Sequence, residues 1–195
     1  MSEFRKEFKF VLKNSEITEF INFYKSNLEI LYKKRKIKSL YMDTRNLHLY
    51  RNSIFSDINK KKLRYRQYDD SSNIFKEIKI SDKEKTKIVE KTIYRSFNDI
   101  KYDYLDDKIV YPTCFVTYER EYFKFYDTRL TLDSKITYES SKAFTLFKKS
   151  FEEEKNIVEI KILEGELNVE KSFFSTPVKN SKYENAIESL YDVRF

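Results

Sequence analysis

The stretch Lys62-Leu63-Arg64-Tyr65-Arg66-Gln67-Tyr68 limits what this chain can become more than any other feature of its sequence. Alternation of period two is the mark of a β-strand, whose successive side chains point to opposite faces. Here it puts Leu63 and Tyr65 on one face and Lys62, Arg64 and Arg66 on the other. A single strand of this kind would be an ordinary half-exposed strand with a wet side. The pattern recurs, however. "FRKEFKFVL" sets Phe8 and Phe10 against Arg5, Glu7 and Lys9, and "IFKEIKI" sets Ile78 and Ile80 against Glu77 and Lys79. "RLTLD" sets Leu130 and Leu132 against Arg129, Thr131 and Asp133, and "NIVEIKI" sets Val158, Ile160 and Ile162 against Glu159 and Lys161. The wet faces of a plain sheet would mix Ser, Thr, Asn and Gln with charge. These are weighted toward the longest charged side chains, which fits a closed barrel with a charged interior and an exterior packed under helices.

The remaining segments fill in that architecture. After Asn14 and Ser15, either able to cap a helix, Ile17, Phe20, Ile21, Tyr24 and Leu28 recur at helical spacing. "IKSLYMDT" reads as a strand followed by a short helical turn with Leu47 and Tyr50 inward. "KKLRYRQY" and "IFKEIKI", joined by Asp69-Asp70-Ser71-Ser72-Asn73, read as a hairpin. "KIVEKTIY" is a further strand, "FNDIKYDYL" a helical excursion, and "CFVTYEREYF" a strand after Pro112. "SKYENAIESLY" closes the chain as a helix with Tyr183, Ile187 and Leu190 inward. The expected fold is α+β but mainly β: an eight-stranded antiparallel β-tunnel, a closed barrel with flanking helices and a charged lumen. With no Pro/Gly/Ser-rich linker, repeat or break in composition, residues 1–195 are expected to form one domain.

Composition removes several classes of function. Gly165 is the only glycine, so neither a phosphate-cradling glycine-rich loop nor a dinucleotide fingerprint can be written. Cys114 is the only cysteine, so no internal disulfide forms, and it reads as a core residue. No apolar run approaches the ~20 residues of a membrane helix and no signal peptide is legible, so a cytoplasmic location is expected. The net charge of +7 suits an anionic partner.

Taken in order, "RKEFKFVL", "IKSLYMDT", "LRYRQY", "FKEIKI", "YPTCFVTYER", "RLTLD", "VEIKI" and "SKYENAI" resemble the VTC domain over essentially the whole chain. That domain is the polyphosphate polymerase branch of the triphosphate tunnel metalloenzymes, related more distantly to the CYTH proteins. The resemblance implies an enzyme that uses Mn²⁺ or Mg²⁺ to move the γ-phosphoryl of ATP, or of another triphosphate, onto polyphosphate inside a cationic tunnel. The family's tunnel cations fall on Lys9, Arg64, Arg66, Lys79, Arg120, Arg129, Lys161 and Lys182, with Lys91, Lys62 and Tyr41 as further substrate-binding residues. Lys85 and Lys87 are substitutes for Lys91 if that strand is shifted. The metal falls to Glu159, with Glu7 and Glu77 either joining it or holding the cations.

There are departures from the family pattern. Hydrolase and cyclase relatives open with a Glu-x-Glu-x-Lys strand, where this chain has Arg5-Lys6-Glu7-Phe8-Lys9. Loss of the first glutamate favours the polymerase branch over the runner-up, a tunnel triphosphatase. A non-catalytic polyphosphate-binding module is a third reading. Specific nucleic-acid recognition is not expected, and the sequence encodes neither the oligomeric state nor any membrane partner. Arg129 and Asp133 are a candidate surface pair, the basic run from Tyr32 to Lys38 a candidate surface for polyphosphate, and His48 a surface or packing residue.

Overall fold

The computed structural model describes residues 6–24, 28–56, 59–69, 71–81, 87–125, 128–162 and 177–193. β1 (Lys6–Lys13) leads directly into α1 (Asn14–Tyr24), where the Glu16 carboxylate turns back to accept the Lys13 amide at 2.7 Å. β2 (Leu28–Asp43) is followed by α2 (His48–Phe55), then the hairpin of β3 (Lys60–Tyr68) and β4 (Ile74–Ser81), then β5 (Lys87–Lys91). A 3-10 turn at Phe97–Asp99 precedes β6 (Asp103–Leu105) and the long β7 (Lys108–Phe125). β8 (Thr128–Ser140), β9 (Ser150–Glu152), β10 (Lys155–Ile162) and α3 (Lys182–Tyr191) complete the chain.

The strands make one ten-stranded sheet. Eight follow the hydrogen-bonded path β1-β10-β8-β7-β2-β3-β4-β5, and these are the eight that alternation predicts; the short β6 and β9 hang off β7 and β8. With so little glycine, left-handed turn positions fall to Asn59, Asp69, Asp106, Lys135 and Asp192, and to Leu47 ahead of α2. Asn and Asp tolerate that region because their short polar side chains bond locally.

The chain divides into two compact units: Met1–Arg35, Tyr118–Ile136 and Glu153–Asn180 form the first, and Lys36–Thr117, Thr137–Glu152 and Ser181–Phe195 the second. In the first, Phe10 and Leu12 of β1, Leu130 and Leu132 of β8, and Val158, Ile160 and Ile162 of β10 bury one face of the sheet against Phe20 of α1, with Ile17 and Ile21 beside it. At ~1.5–3 kcal/mol per buried large apolar side chain, that face is what fixes the register of the three strands. In the second, Leu40, Met42, Leu63, Tyr65, Ile74, Ile100, Leu105 and Val110 form the equivalent core. In both units the apolar partners of the alternation are buried as one set, which leaves the charged positions together on the opposite face.

Three segments differ from the sequence expectation. The helical excursion over 97–105 is a single turn, closed by a reciprocal cap between Ser96 and Asp99. Beyond it Tyr65 and Lys76 both bond the Asp103 carboxylate, and Ile100 and Leu105 enter the core, so the chain runs on as β6. β2 begins at Leu28 rather than at Ile37, and Leu28 packs on the first unit's core from the strand instead of extending the α1 stripe. β9 was not expected; Phe151 stacks on Tyr138 at 6.1 Å across the β8–β9 ladder.

Candidate functional site

In the first unit the polar face is set by register. Lys9 of β1 lies opposite Glu159 of β10, which lies opposite Thr131 of β8; the next row is Glu7, Lys161 and Arg129. Both rows sit on the face away from the apolar core, yet Glu159, Thr131 and Asp133 are 8%, 2% and 0% exposed. The Lys161 ammonium bridges Glu7 at 2.9 Å and Glu159 at 3.1 Å. Burial pulls the Lys161 pKa down, but Glu159 and Glu7 outweigh it and hold it above the ordinary value. Lys9 donates to the Asn180 carbonyl at 2.8 Å.

Asp133 does not pair with Arg129. It takes Arg120 of β7 in a two-pronged bond, Nε to Oδ1 at 2.5 Å and Nη2 to Oδ2 at 2.6 Å. Arg129 instead lies over the Tyr122 ring at 5.4 Å. Its Nε and the Thr131 hydroxyl oxygen are buried and have no hydrogen-bond partner among the described residues. Buried polar atoms without partners are rare because each carries an uncompensated desolvation cost, so two such neighbours on one charged face make it a candidate site.

In the second unit the polar face is carried by β2, β3 and β4. Arg64 is in register with Tyr41 and Glu77, Arg66 with Ser39 and Phe75, and Lys62 with Lys79. Glu77, almost fully buried, accepts Arg64 Nε at 2.7 Å and Nη2 at 2.6 Å and also faces Arg66 Nη1 at 3.5 Å. Its carboxylate holds two guanidiniums in the structure, the cation-holding place expected for it beside a metal-binding one. Arg64 Nη1 reaches the Tyr41 hydroxyl at 2.9 Å and Arg66 Nε the Ser39 hydroxyl at 3.0 Å. Lys62 donates to Ser181 and Glu184, the cap and first turn of α3, at 2.7 and 2.8 Å. Lys79 is half-buried, while Lys91 on β5 is exposed, in register with Phe75; Lys182 is the first residue of α3 and half-buried. Lys85 lies outside the described residues, and Lys87 is described only as a strand position.

Cations outnumber carboxylates on this face, and Tyr41 registers the excess. Burial pushes its phenol up, but Arg64, Arg66 and Lys62 more than offset that and bring it down to about 8. A folded pKa below the ordinary 10.0 gives phenolate stabilisation that is full above pH 10 and lost as pH falls through 8. Phenolate absorbance should therefore show a titration centred near pH 8 that Tyr41→Phe removes. A triphosphate neutralising the arginines should move that midpoint upward. No tyrosine titrating below about pH 9 would contradict this electrostatic picture.

Sequence reasoning missed what supports this face. The Tyr41 ring stacks on Tyr183 at 4.9 Å, and the Tyr183 hydroxyl donates to Asp43. Asp43, wholly buried, also accepts the amides of Leu49 and Tyr50 at 2.8 and 2.9 Å, and so caps α2 from outside the helix. Burial raises its pKa despite those bonds. Asp43 carried no pattern signal because its helix starts five residues later. Thr131 and Asp133 alternate correctly with Leu130 and Leu132, but a strand threonine is ordinary and nothing local names the partner of Asp133.

His48 is exposed and Cys114 fully buried in the core, as expected. In the basic run, Lys33, Arg35 and Lys36 are exposed, and Lys34 is tied to Glu119 at 2.9 Å and Glu121 at 3.3 Å.

Glu7 and Glu159 fit a Mg²⁺ or Mn²⁺ ion. They come from adjacent strands to one cationic point, and such ions commonly take one or two protein carboxylates with the rest from water and phosphate. No cluster of three or more His, Cys, Asp or Glu side chains that could hold a metal occurs among the described residues.

No functionally curated protein matches the chain. Among solved structures, a Pyrococcus horikoshii protein aligns over 95% of this chain and 99% of its own, with 16% identity and a TM-score of 0.57. A candidate adenylate cyclase of Bacillus halodurans aligns over 82% and 80%, with 11% identity and a TM-score of 0.52. Likeness at such identity speaks for the fold and not for the activity. The VTC domain profile matches residues 4–109, just over half of the chain and the part that carries β1 to β5 with Lys9, Arg64, Arg66 and Glu77. The chain belongs to the VTC domain family.

Proposed function

We propose that this chain is a metal-dependent polyphosphate polymerase, transferring the γ-phosphoryl of ATP to the end of a polyphosphate chain, and that residues 1–195 work as one such domain. The observation that carries the reading is the buried charged face of β1, β10 and β8, where Arg129 Nε and Thr131 Oγ1 lack partners among the described residues. Transfer breaks the bond between the γ-phosphorus and the β–γ bridging oxygen and forms one to a terminal polyphosphate oxygen, leaving ADP. The protein does little covalent work in such a step; it holds the groups in line and neutralises charge as the bonds loosen.

In the first unit Lys9 and Arg129 bind and orient phosphate oxygens, while Asp133 holds Arg120 beside them; in the second unit Arg64 and Arg66 offer guanidiniums whose planes Glu77 fixes. Glu159 and Glu7 would hold the divalent ion, whose bound charge polarises the phosphoryl group. Lys161, between those carboxylates, sets their spacing. The acceptor oxygen is already ionised, so no general base is required. Glu7 is ion-paired with Lys161 rather than poised to activate water, which favours phosphate over water as acceptor. ATP as donor agrees with a cytoplasmic protein, and among the described residues no helix is long and apolar enough to cross a membrane.

Thr131 supplies a sharp test. Arg129 Nε is a donor only, so a hydroxyl beside it completes a seat for an anionic oxygen. Thr131→Val keeps the shape and removes the unsatisfied oxygen. Calorimetric titration with tripolyphosphate should show affinity lowered about 5- to 30-fold, while the free protein melts at the same or a higher temperature. A valine variant that binds equally well removes Thr131 from the site; wild-type protein that binds no tripolyphosphate removes the whole reading.

A further inference from the structure

Between β8 and β9 the chain presents Leu146 at 96% and Phe147 at 77% exposure. The loop that does so is tightly tied. The amides of Phe144 and Thr145 donate to the Ser141 carbonyl at 3.0 and 3.1 Å, and that of Phe147 to the Thr145 hydroxyl at 3.3 Å. The Ser140 hydroxyl donates to the Phe147 carbonyl at 3.2 Å and accepts the Lys149 amide at 2.8 Å. Arg45 bonds the Ala143 carbonyl, and the Phe144 ring packs on Tyr191 with centroids 5.0 Å apart. One aromatic of the loop is thus anchored while the next two large apolar side chains are held outward.

Their surroundings are basic. Lys142, Lys148 and Lys149 are all exposed, and no acidic residue occurs from 140 to 150. Among the described residues Lys148 meets Glu139 at 3.3 Å, with side-chain exposures of 63% and 47%, a pair that solvent and salt weaken readily. Protein–protein interfaces favour aromatics at their centre and are depleted in lysine. Apolar tips ringed by ammonium groups instead match the boundary between lipid headgroups and acyl chains, where the tips enter hydrocarbon and the lysines meet anionic phosphates.

We propose that residues 142–149 dock this chain reversibly on an anionic membrane surface, independently of its phosphate chemistry. Two inserted side chains and three lysines make a weak anchor, reversible and salt-sensitive. Sedimentation with vesicles tests it. Wild-type protein should bind vesicles containing phosphatidylserine and bind pure phosphatidylcholine vesicles at least about 10-fold more weakly. The double variant Leu146→Ser/Phe147→Ser should lower binding to the anionic vesicles about 10-fold or more with an unchanged melting temperature, since both side chains are solvated in the free protein. A triple Lys→Gln variant at 142, 148 and 149 should do the same and flatten the salt dependence. Wild-type protein that ignores both vesicle types, binding that survives the serine variant, or self-association that the serine variant abolishes would each overturn the proposal, the last by giving the tips to a second copy of the chain.

Discussion

Replacing Asp133 by asparagine is expected to destabilise the protein by about 3–5 kcal/mol. The carboxylate is fully buried, and Arg120, 15% exposed at its side chain, bonds both of its oxygens. Asparagine keeps the size of the side chain but removes the charge and turns one acceptor into a donor that faces a guanidinium. The arginine cannot lose its proton at any accessible pH, so it stays charged and half-paired in a dry place. For a chain of this length that cost is roughly a 6–20 °C fall in melting temperature. Leucine at both 120 and 133 should recover part of the loss, because the penalty lies in the unpaired charge rather than in the missing bond. A loss below about 1 kcal/mol for the asparagine variant would mean that solvent reaches the pair and that the face is not buried as described.

The second large effect falls on turnover. If the proposed function holds, Glu159→Gln is expected to reduce phosphoryl transfer about 100- to 1000-fold, equivalent to ~3–4 kcal/mol of transition-state stabilisation, by taking away the proposed ligand of the divalent ion. The fold should survive, since Lys161 keeps Glu7 at 2.9 Å when Glu159 is neutralised. Metal-free affinity for tripolyphosphate should hold or rise, because a negative charge has left the cationic face. That split between binding and turnover is what a merely structural glutamate would not produce.

The two sites differ in how far the sequence disclosed them. Arg64, Arg66, Glu77, Lys79, Glu159 and Lys161 were legible because each sits in a strand whose apolar partners alternate cleanly, and burying those partners leaves one face for the charges. Pairing is another matter. That Asp133 takes Arg120 and not Arg129 depends on which strand lies beside β8, and alternation is blind to strand order. The start of β2 was hidden because the basic run from Lys33 to Lys36 interrupts the period, although Lys34 finds Glu119 and Glu121 on the neighbouring strand. The segment 97–105 offered helical spacing, but long-range bonds to Asp103 from Lys76 and Tyr65 overrode a local preference weakly enforced by one capped turn. Asp43 shows the same limit: its two amide bonds to α2 and its bond from Tyr183 join residues up to 140 positions apart.

The proposed transfer of phosphoryl groups to phosphate at the charged face of β1, β10 and β8 has a direct readout in its products. Phosphorus NMR of ATP incubated with the protein and Mn²⁺ tests it most directly. The wild type should give growing signals of internal polyphosphate phosphorus and of ADP, and Glu159→Gln almost none. Orthophosphate as the only new product, or equal product from the glutamine variant, would contradict it.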